Sequence, residues 1–330
     1  MIRRITMQLP FWARPSHPVV RYELGKPGTL SRRGRYVRAF FVVMIVLILG
    51  LGGYMIATGF LNHAPLLSDD ADGQHVTATL MAILFWPVLV IQIVVRIIAL
   101  LQTANLVGEA RSRGTWDSLR ATENGTELAL RARWAVAFYR LRGMIALLLA
   151  VRLIFLVGIL VDLTAFRGQY LSMLTVNIVP DIPLAIAAVL LVCWMTASLL
   201  LPFTGVGVDA ALGLLISTLF QQRIYALLAQ FVVIALRISV VILLLLGMTQ
   251  LLAGELSDLS EQVSWLLMGG FSALGDWGLR FTHLQSFGGL WSIVPYGVFL
   301  GLGLVIYVVV QALFTDLLLS LAVRRAERAG

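Results

Sequence analysis

The sequence predicts an all-α polytopic membrane protein with six transmembrane helices, an N-terminal amphipathic helix, and cytoplasmic helices between the second and third spans. Three observations predict it. Of 330 residues, 59% are hydrophobic and only 13% are charged, about half the roughly 25% charged share of a soluble domain. Mean hydropathy is +0.91. Apolar stretches also recur at the length needed to cross hydrocarbon, about 20 residues at 1.5 Å each. This composition excludes a disordered chain, which needs low hydrophobicity and high net charge. It also excludes a water-soluble enzyme of this length, whose surface these residues could not cover.

The elements follow in order. Residues 1–36 read as a basic, amphipathic, cytoplasmic segment, and 37–330 as one six-helix transmembrane domain. The spans fall at 37–61, 77–101, 143–163, 183–201, 224–252 and 293–321. Pro202 is expected to end the fourth span, with Gly205, Gly207 and Asp209 after it. The apolar run from Ala210 to Phe220 is too short to cross alone, so 202–222 reads as the cytoplasmic end of a broken helix or an interfacial segment. The external segment 253–292 interleaves Trp265, Phe271, Trp277, Phe281, Phe287 and Trp291 with Gly and polar residues. That pattern suits interfacial helices, where amphipathic aromatic rings sit well.

Charge sets the orientation. Residues 1–38 hold nine basic residues against Glu23, residues 102–142 hold seven arginines, and the tail adds Arg324, Arg325 and Arg328. The alternate connections are acidic: 62–76 carries Asp69, Asp70 and Asp72 with no Lys or Arg, and 253–292 carries four acids against Arg280. The positive-inside rule then puts both termini and the 102–142 loop in the cytoplasm, which requires an even number of spans. The net charge of +8 therefore reflects orientation rather than nucleic-acid binding. Cys193 is the only cysteine, so no intrachain disulfide forms.

The loop after the second span carries the most local signal. Glu109, Arg111 and Arg113 lie on a short helix that breaks at Gly114. Thr115 can cap the next turn, which holds Trp116, Asp117 and Leu119. A second break falls at Asn124-Gly125, and Thr126 starts a helix that runs through Leu128, Trp134 and Phe138 into the third span. The loop thus reads as two or three short amphipathic helices at the inner membrane face.

At these residues the sequence resembles the permease subunits of ABC-2-type transporters (type V exporter-like). Their second span is followed by a pattern close to Glu-x-x-x-Gly-Thr-(aromatic or Leu)-acid-x-Leu, matched here by Glu109, Arg113, Gly114, Thr115, Trp116, Asp117 and Leu119. Such families often continue Leu-x-x-Thr-Pro; here Thr122 is followed by Glu123. A second match is His17-Pro18-Val19-Val20-Arg21-Tyr22-Glu23-Leu24, with His17 where Asn is usual, followed by Arg32, Arg33, Arg35 and Arg38. A weaker third is Gly213 to Ser217 with Gln221, Gln222 and Arg223.

The resemblance implies one half of a transporter in a bacterial plasma membrane, paired with a second permease copy or homologue as a homo- or heterodimer. Each half docks an ATP-binding cassette subunit through Glu109, Arg111, Arg113, Gly114, Thr115, Trp116, Asp117 and Leu119. Trp116 and Leu119 are the expected anchors in a groove of that partner, and Glu109, Arg111 and Arg113 the charged rim. The chain carries no Gly-x-x-x-x-Gly-Lys, and its only lysine, Lys26, precedes Pro27. It is therefore expected to be no enzyme and to hold no cofactor, with ATP and Mg on the partner and the substrate moved outward. The alternative is a non-transporting structural subunit of a larger membrane complex that reuses the permease fold.

Charges also fall inside the spans. Arg152 lies ten residues beyond Arg142, about 15 Å into the third span, and Arg237 fourteen residues beyond Arg223, about 21 Å along the fifth. Ionisable residues at such depth face the bundle interior or water. Two readings follow: Arg152 and Arg237 line a translocation surface that attracts an anionic group, or they are buried against Gln230, Thr249, backbone carbonyls, Asp162 or Asp316. Arg96 lies near the inner face, where it can snorkel. Gly297 and Gly301 form a Gly-x-x-x-Gly pattern that allows close helix approach, within the subunit or between subunits. The four histidines are scattered, no Gly-x-Ser-x-Gly elbow is present, and the Asn124-Gly-Thr sequon lies on the expected cytoplasmic side.

Overall fold

The computed structural model describes residues 10–24, 76–104, 107, 108, 110, 114, 116, 125–163, 169–176, 178–220, 222–253, 261–274, 294 and 296–328. Among these, the secondary structure is helical. The helices are α1 (Pro18–Leu24), α2 (Val76–Thr103), α3 (Gly125–Asp162), α4 (Tyr170–Leu174), α5 (Leu184–Leu219), α6 (Arg223–Leu252), α7 (Glu261–Ala273) and α8 (Leu300–Arg328). Short 3-10 turns at Phe11–Ala13 and Gly297–Phe299 precede α1 and α8. Four helices are long and apolar enough to cross a membrane: α3, α5, α6 and the last helix with its 3-10 turn. Helix α2 adds a shorter apolar section, Val88–Thr103. The expected first span, 37–61, lies outside the described residues, as do Glu109, Arg111, Arg113, Thr115, Asp117 and Leu119.

Long runs of Leu, Ile, Val and Ala form helices here because a backbone in hydrocarbon must satisfy its own hydrogen bonds. Helix α3 has 38 residues and α5 has 36, about 57 and 54 Å at 1.5 Å per residue. Both are nearly twice the roughly 30 Å hydrocarbon thickness. The third span is therefore fused to the helix that starts at the Asn124-Gly125 break. Thr126 is buried in its first turn.

Helix α5 corrects the sequence reading. Pro202 was expected to end the fourth span, yet the helix continues through it to Leu219. The stretch expected to be a broken or interfacial segment is instead the most enclosed part of the molecule: Gly205 to Ala211, Gly213, Leu214 and Ile216 to Thr218 are buried. Its small residues bring neighbours close. Gly213 faces Thr103 and the Leu100 carbonyl of α2, where a Cβ would collide with the backbone. Helix α5 packs on α2, α3, α6 and, along most of its length, α8.

Three apolar clusters define one end of the bundle. Val20 packs on Ala132 and Val136 of α3. Val107, Ala110 and Trp116 pack with Leu130, Val208, Leu214, Leu318 and Ala322. Leu100 and Ala104 pack with Ile216 and Ala226. Residues 10–24, the loop after α2, the start of α3 and the end of α8 therefore share one end, so the described arginine-rich segments lie together. Helix α6 is peripheral: 11% of its apolar window is buried, against 39% for each of the other three spanning helices. At the opposite end, Trp265 of α7 donates to the Tyr296 carbonyl at 3.1 Å.

Gly301, the second glycine of the Gly-x-x-x-Gly pattern, is used inside the chain. A Cβ at Gly301 would collide with the Leu190 carbonyl and press on Trp194 of α5. Gly143 has nothing within 4 Å of its notional Cβ. Gly301→Ala is expected to cost about 1–3 kcal/mol, read as a lower melting temperature in detergent. Gly143→Ala should leave that temperature unchanged or slightly raised, and equal effects of the two would contradict this packing.

Candidate functional site

The buried ionisable groups converge on α5. Asp209, with a fully buried side chain, is held by two arginines. Arg96 Nε of α2 donates to its Oδ2 at 2.7 Å. Arg237 Nη1 of α6 meets Oδ1 as an ion pair. Gly205, one turn earlier, leaves room for the Arg96 guanidinium, which lies 3.3 Å from where a Cβ would stand. Three helices are thus tied at one carboxylate, and the peripheral α6 is fastened to the bundle near its middle. Arg96, expected to snorkel, turns inward because a charge-assisted bond in the interior outweighs a solvated surface position.

Arg152 belongs to a second cluster. It is completely buried, donates from Nη1 to the Ser198 carbonyl and donates from Nη2 to Gln92 Oε1 at 2.9 Å. Gln92 Nε2 in turn donates to the Leu274 carbonyl. Ser198 stands four residues before Pro202. A proline lacks the N–H that would bond this carbonyl and ordinarily breaks a helix interior. Arg152 supplies the missing donor, which explains why α5 runs on through Pro202. Of the partners anticipated for Arg152 and Arg237, a backbone carbonyl serves Arg152, while Arg237 pairs with Asp209, which was not among them. Arg152 is wholly enclosed rather than on an open surface, whereas Arg96 and Arg237 keep 19% and 21% side-chain exposure.

At the shared end, the loop after α2 is rooted in the core. Val107, Gly108, Ala110 and Trp116 are helical, and Gly114 takes a left-handed φ of 67°. That conformation rather than crowding calls for glycine, since nothing lies within 4 Å of a notional Cβ. The Val107 amide donates to Ser217 Oγ of α5 at 2.9 Å. Trp116 is 2% exposed, with the Arg133 guanidinium 5.7 Å from its ring centroid. It was expected to anchor in a partner's groove. Instead it fills the chain's own core, because α3, α5 and α8 converge there and cover its apolar ring.

The N-terminal segment clamps the start of α3. Pro18 opens α1, a position where its missing N–H costs nothing. Glu23 accepts from Arg133 Nε at 3.0 Å, and its backbone carbonyl accepts from Arg140 Nη2 at 2.6 Å. Tyr139 donates to the Ala13 carbonyl at 2.7 Å. His17 packs edge-on against Phe11, and burial pushes its pKa below the ordinary 6.5, which favours the neutral ring.

Asp209, Gln92 and Ser198 were not singled out by sequence reasoning. Asp209 is the one acidic residue between Asp181 and Glu255, and an acid inside an apolar run was the available signal. Ser198 is legible only through its spacing to Pro202. Among the described residues, no group of three His, Cys, Asp or Glu side chains comes together to hold a metal. No family model, curated protein or solved structure matches the chain.

The role of Arg152 gives a two-residue test. Arg152→Leu should destabilise the protein by about 3–5 kcal/mol, the scale of breaking a buried charged network. In a Pro202→Ala background, where the new N–H can bond Ser198, the same change should cost clearly less. Additive effects in this double-mutant cycle would contradict the assignment.

Proposed function

We propose that this chain is the membrane-spanning permease subunit of an ABC-2-type transporter, driven by ATP hydrolysis on a separate cassette subunit. In this reading the arginine-rich end faces the cytoplasm of a bacterial plasma membrane, and both termini lie there. A second permease copy or homologue completes the transporter, and the substrate moves outward. ATP and Mg belong to the cassette.

The observation that carries the reading is the burial of Trp116 among α3, α5 and α8. A loop whose base is packed into three long helices cannot be displaced without moving them. Force applied by a partner to Glu109, Arg111 and Arg113 would therefore reach the bundle through Trp116 and the Val107–Ser217 bond. Trp116 then transmits movement, and the charged residues before the Gly114 turn receive it. The clamp of residues 10–24 on α3 stiffens the same end.

Two variants separate these roles. Glu109→Lys with Arg113→Glu should reduce co-purification of the ATPase in mild detergent by about tenfold, equivalent to about 1.4 kcal/mol, with the melting temperature unchanged. Trp116→Ala should instead lower stability by about 3–5 kcal/mol. Assembly with unrelated subunits and no ATPase would overturn the reading in favour of a scaffold.

A further inference from the structure

At the shared end, a cavity of about 360 Å³ opens between α3, α5, α8 and the N-terminal 3-10 turn. Its walls are aromatic: Trp12, Trp134, Phe138 and Phe203, with Arg131 and Asp316 also lining it. Three of the rings adjoin one another. Trp12 and Trp134 lie 6.2 Å apart, and Trp134 meets Phe138 edge-on at 4.8 Å.

The polar atoms of the walls are already engaged. Trp134 Nε1 donates to the Gly207 carbonyl at 3.0 Å. Thr204 donates to Gln311 Oε1 at 2.6 Å, and Thr315 donates to the Gln311 carbonyl at 2.8 Å. That leaves the charged pair to meet a ligand's polar group. Arg131 is bonded to Glu127 at 2.9 Å, on its own helix. Its approach to Asp316 is looser, 3.8 Å, and the Asp316 side chain is 69% exposed. Around Arg131, two carboxylates thus stand against one guanidinium, and the more exposed of them, Asp316, makes the longer contact. Arg133 and Arg140 on the same helix point to Glu23 instead.

We propose that this cavity binds a hydrophobic cation, its apolar groups against the four aromatic side chains and its charge beside Asp316. Aromatic faces attract cations through the ring quadrupoles, and an apolar pocket with a few convergent polar groups is the usual form of a small-molecule site. The site does not rest on the transport reading: it holds whether the ligand is cargo, effector or neither.

The probe is tetraphenylphosphonium, with the isosteric anion tetraphenylborate as its opposite. Binding is measured by equilibrium dialysis against the full chain in phosphatidylcholine nanodiscs, with empty nanodiscs subtracted. Saturable binding of one tetraphenylphosphonium per chain is expected. Asp316→Asn, a change at an exposed side chain, should weaken it about fivefold, the factor given by about 1 kcal/mol for one exposed charge contact. Ala312→Phe places a ring into the cavity from an exposed position on α8 and should abolish binding while leaving the melting temperature unchanged. Tighter binding of tetraphenylborate would overturn the proposal. So would the absence of saturable binding, or tetraphenylphosphonium binding that neither variant alters.

Discussion

A carboxylate removed from water costs several kcal/mol unless opposite charge and hydrogen bonds replace its hydration, and Asp209 keeps no exposed surface. Its two oxygens are met by Arg96 from α2 and Arg237 from α6. The carboxylate gives both arginines their counter-charge, and the arginines replace the hydration it has lost. The mutual dependence fixes where α2 and α6 sit along α5. Apolar packing alone would not, since one Leu or Val replaces another with little loss along a lipid-facing helix. The fastening matters most for α6, which buries little apolar surface of its own.

The same central helix must be continuous for this to work. Asp209 lies seven residues beyond Pro202, so a helix ending at the proline would leave its position unset. Arg152 bonds the carbonyl that Pro202 orphans, and the helix carries on to present Gly205, Gly207, Asp209 and Gly213 to three neighbours. Small residues on one stretch let α2, α3 and α8 approach where the charges are. Beyond it, the helix receives Trp116 and the Val107 amide. Charge pairing, helix continuity and the loop's attachment are thus successive features of α5.

Much of this was legible in the sequence. The centres of the four helices long and apolar enough to cross a membrane followed from hydropathy, and the fusion of the third span to the helix starting near Thr126 followed from the Asn124-Gly125 break. The glycine at 114 was readable as a turn. The shared end of residues 10–24, the start of α3 and the end of α8 followed from the placement of the arginines. What was not legible depends on contacts between distant residues. Pro202 reads as a terminator in one dimension, and only a guanidinium from α3 makes it tolerable. Asp209 reads as part of a break until Arg96 and Arg237 are brought beside it. Trp116 reads as an exposed anchor because an aromatic after a turn looks the same whether its groove belongs to a partner or to the chain. The aromatic cavity joins four separate segments, so no local pattern could announce it.

The shared carboxylate can be tested by exchanging the charges. Arg237→Asp leaves two acids facing one arginine, and Asp209→Arg leaves three arginines with no acid. Each alone should lower the melting temperature sharply in detergent. The combined Asp209→Arg, Arg237→Asp protein restores one acid to two arginines and should recover most of the loss. A combined variant no more stable than the worse single one, or single variants as stable as the parent, would contradict the account.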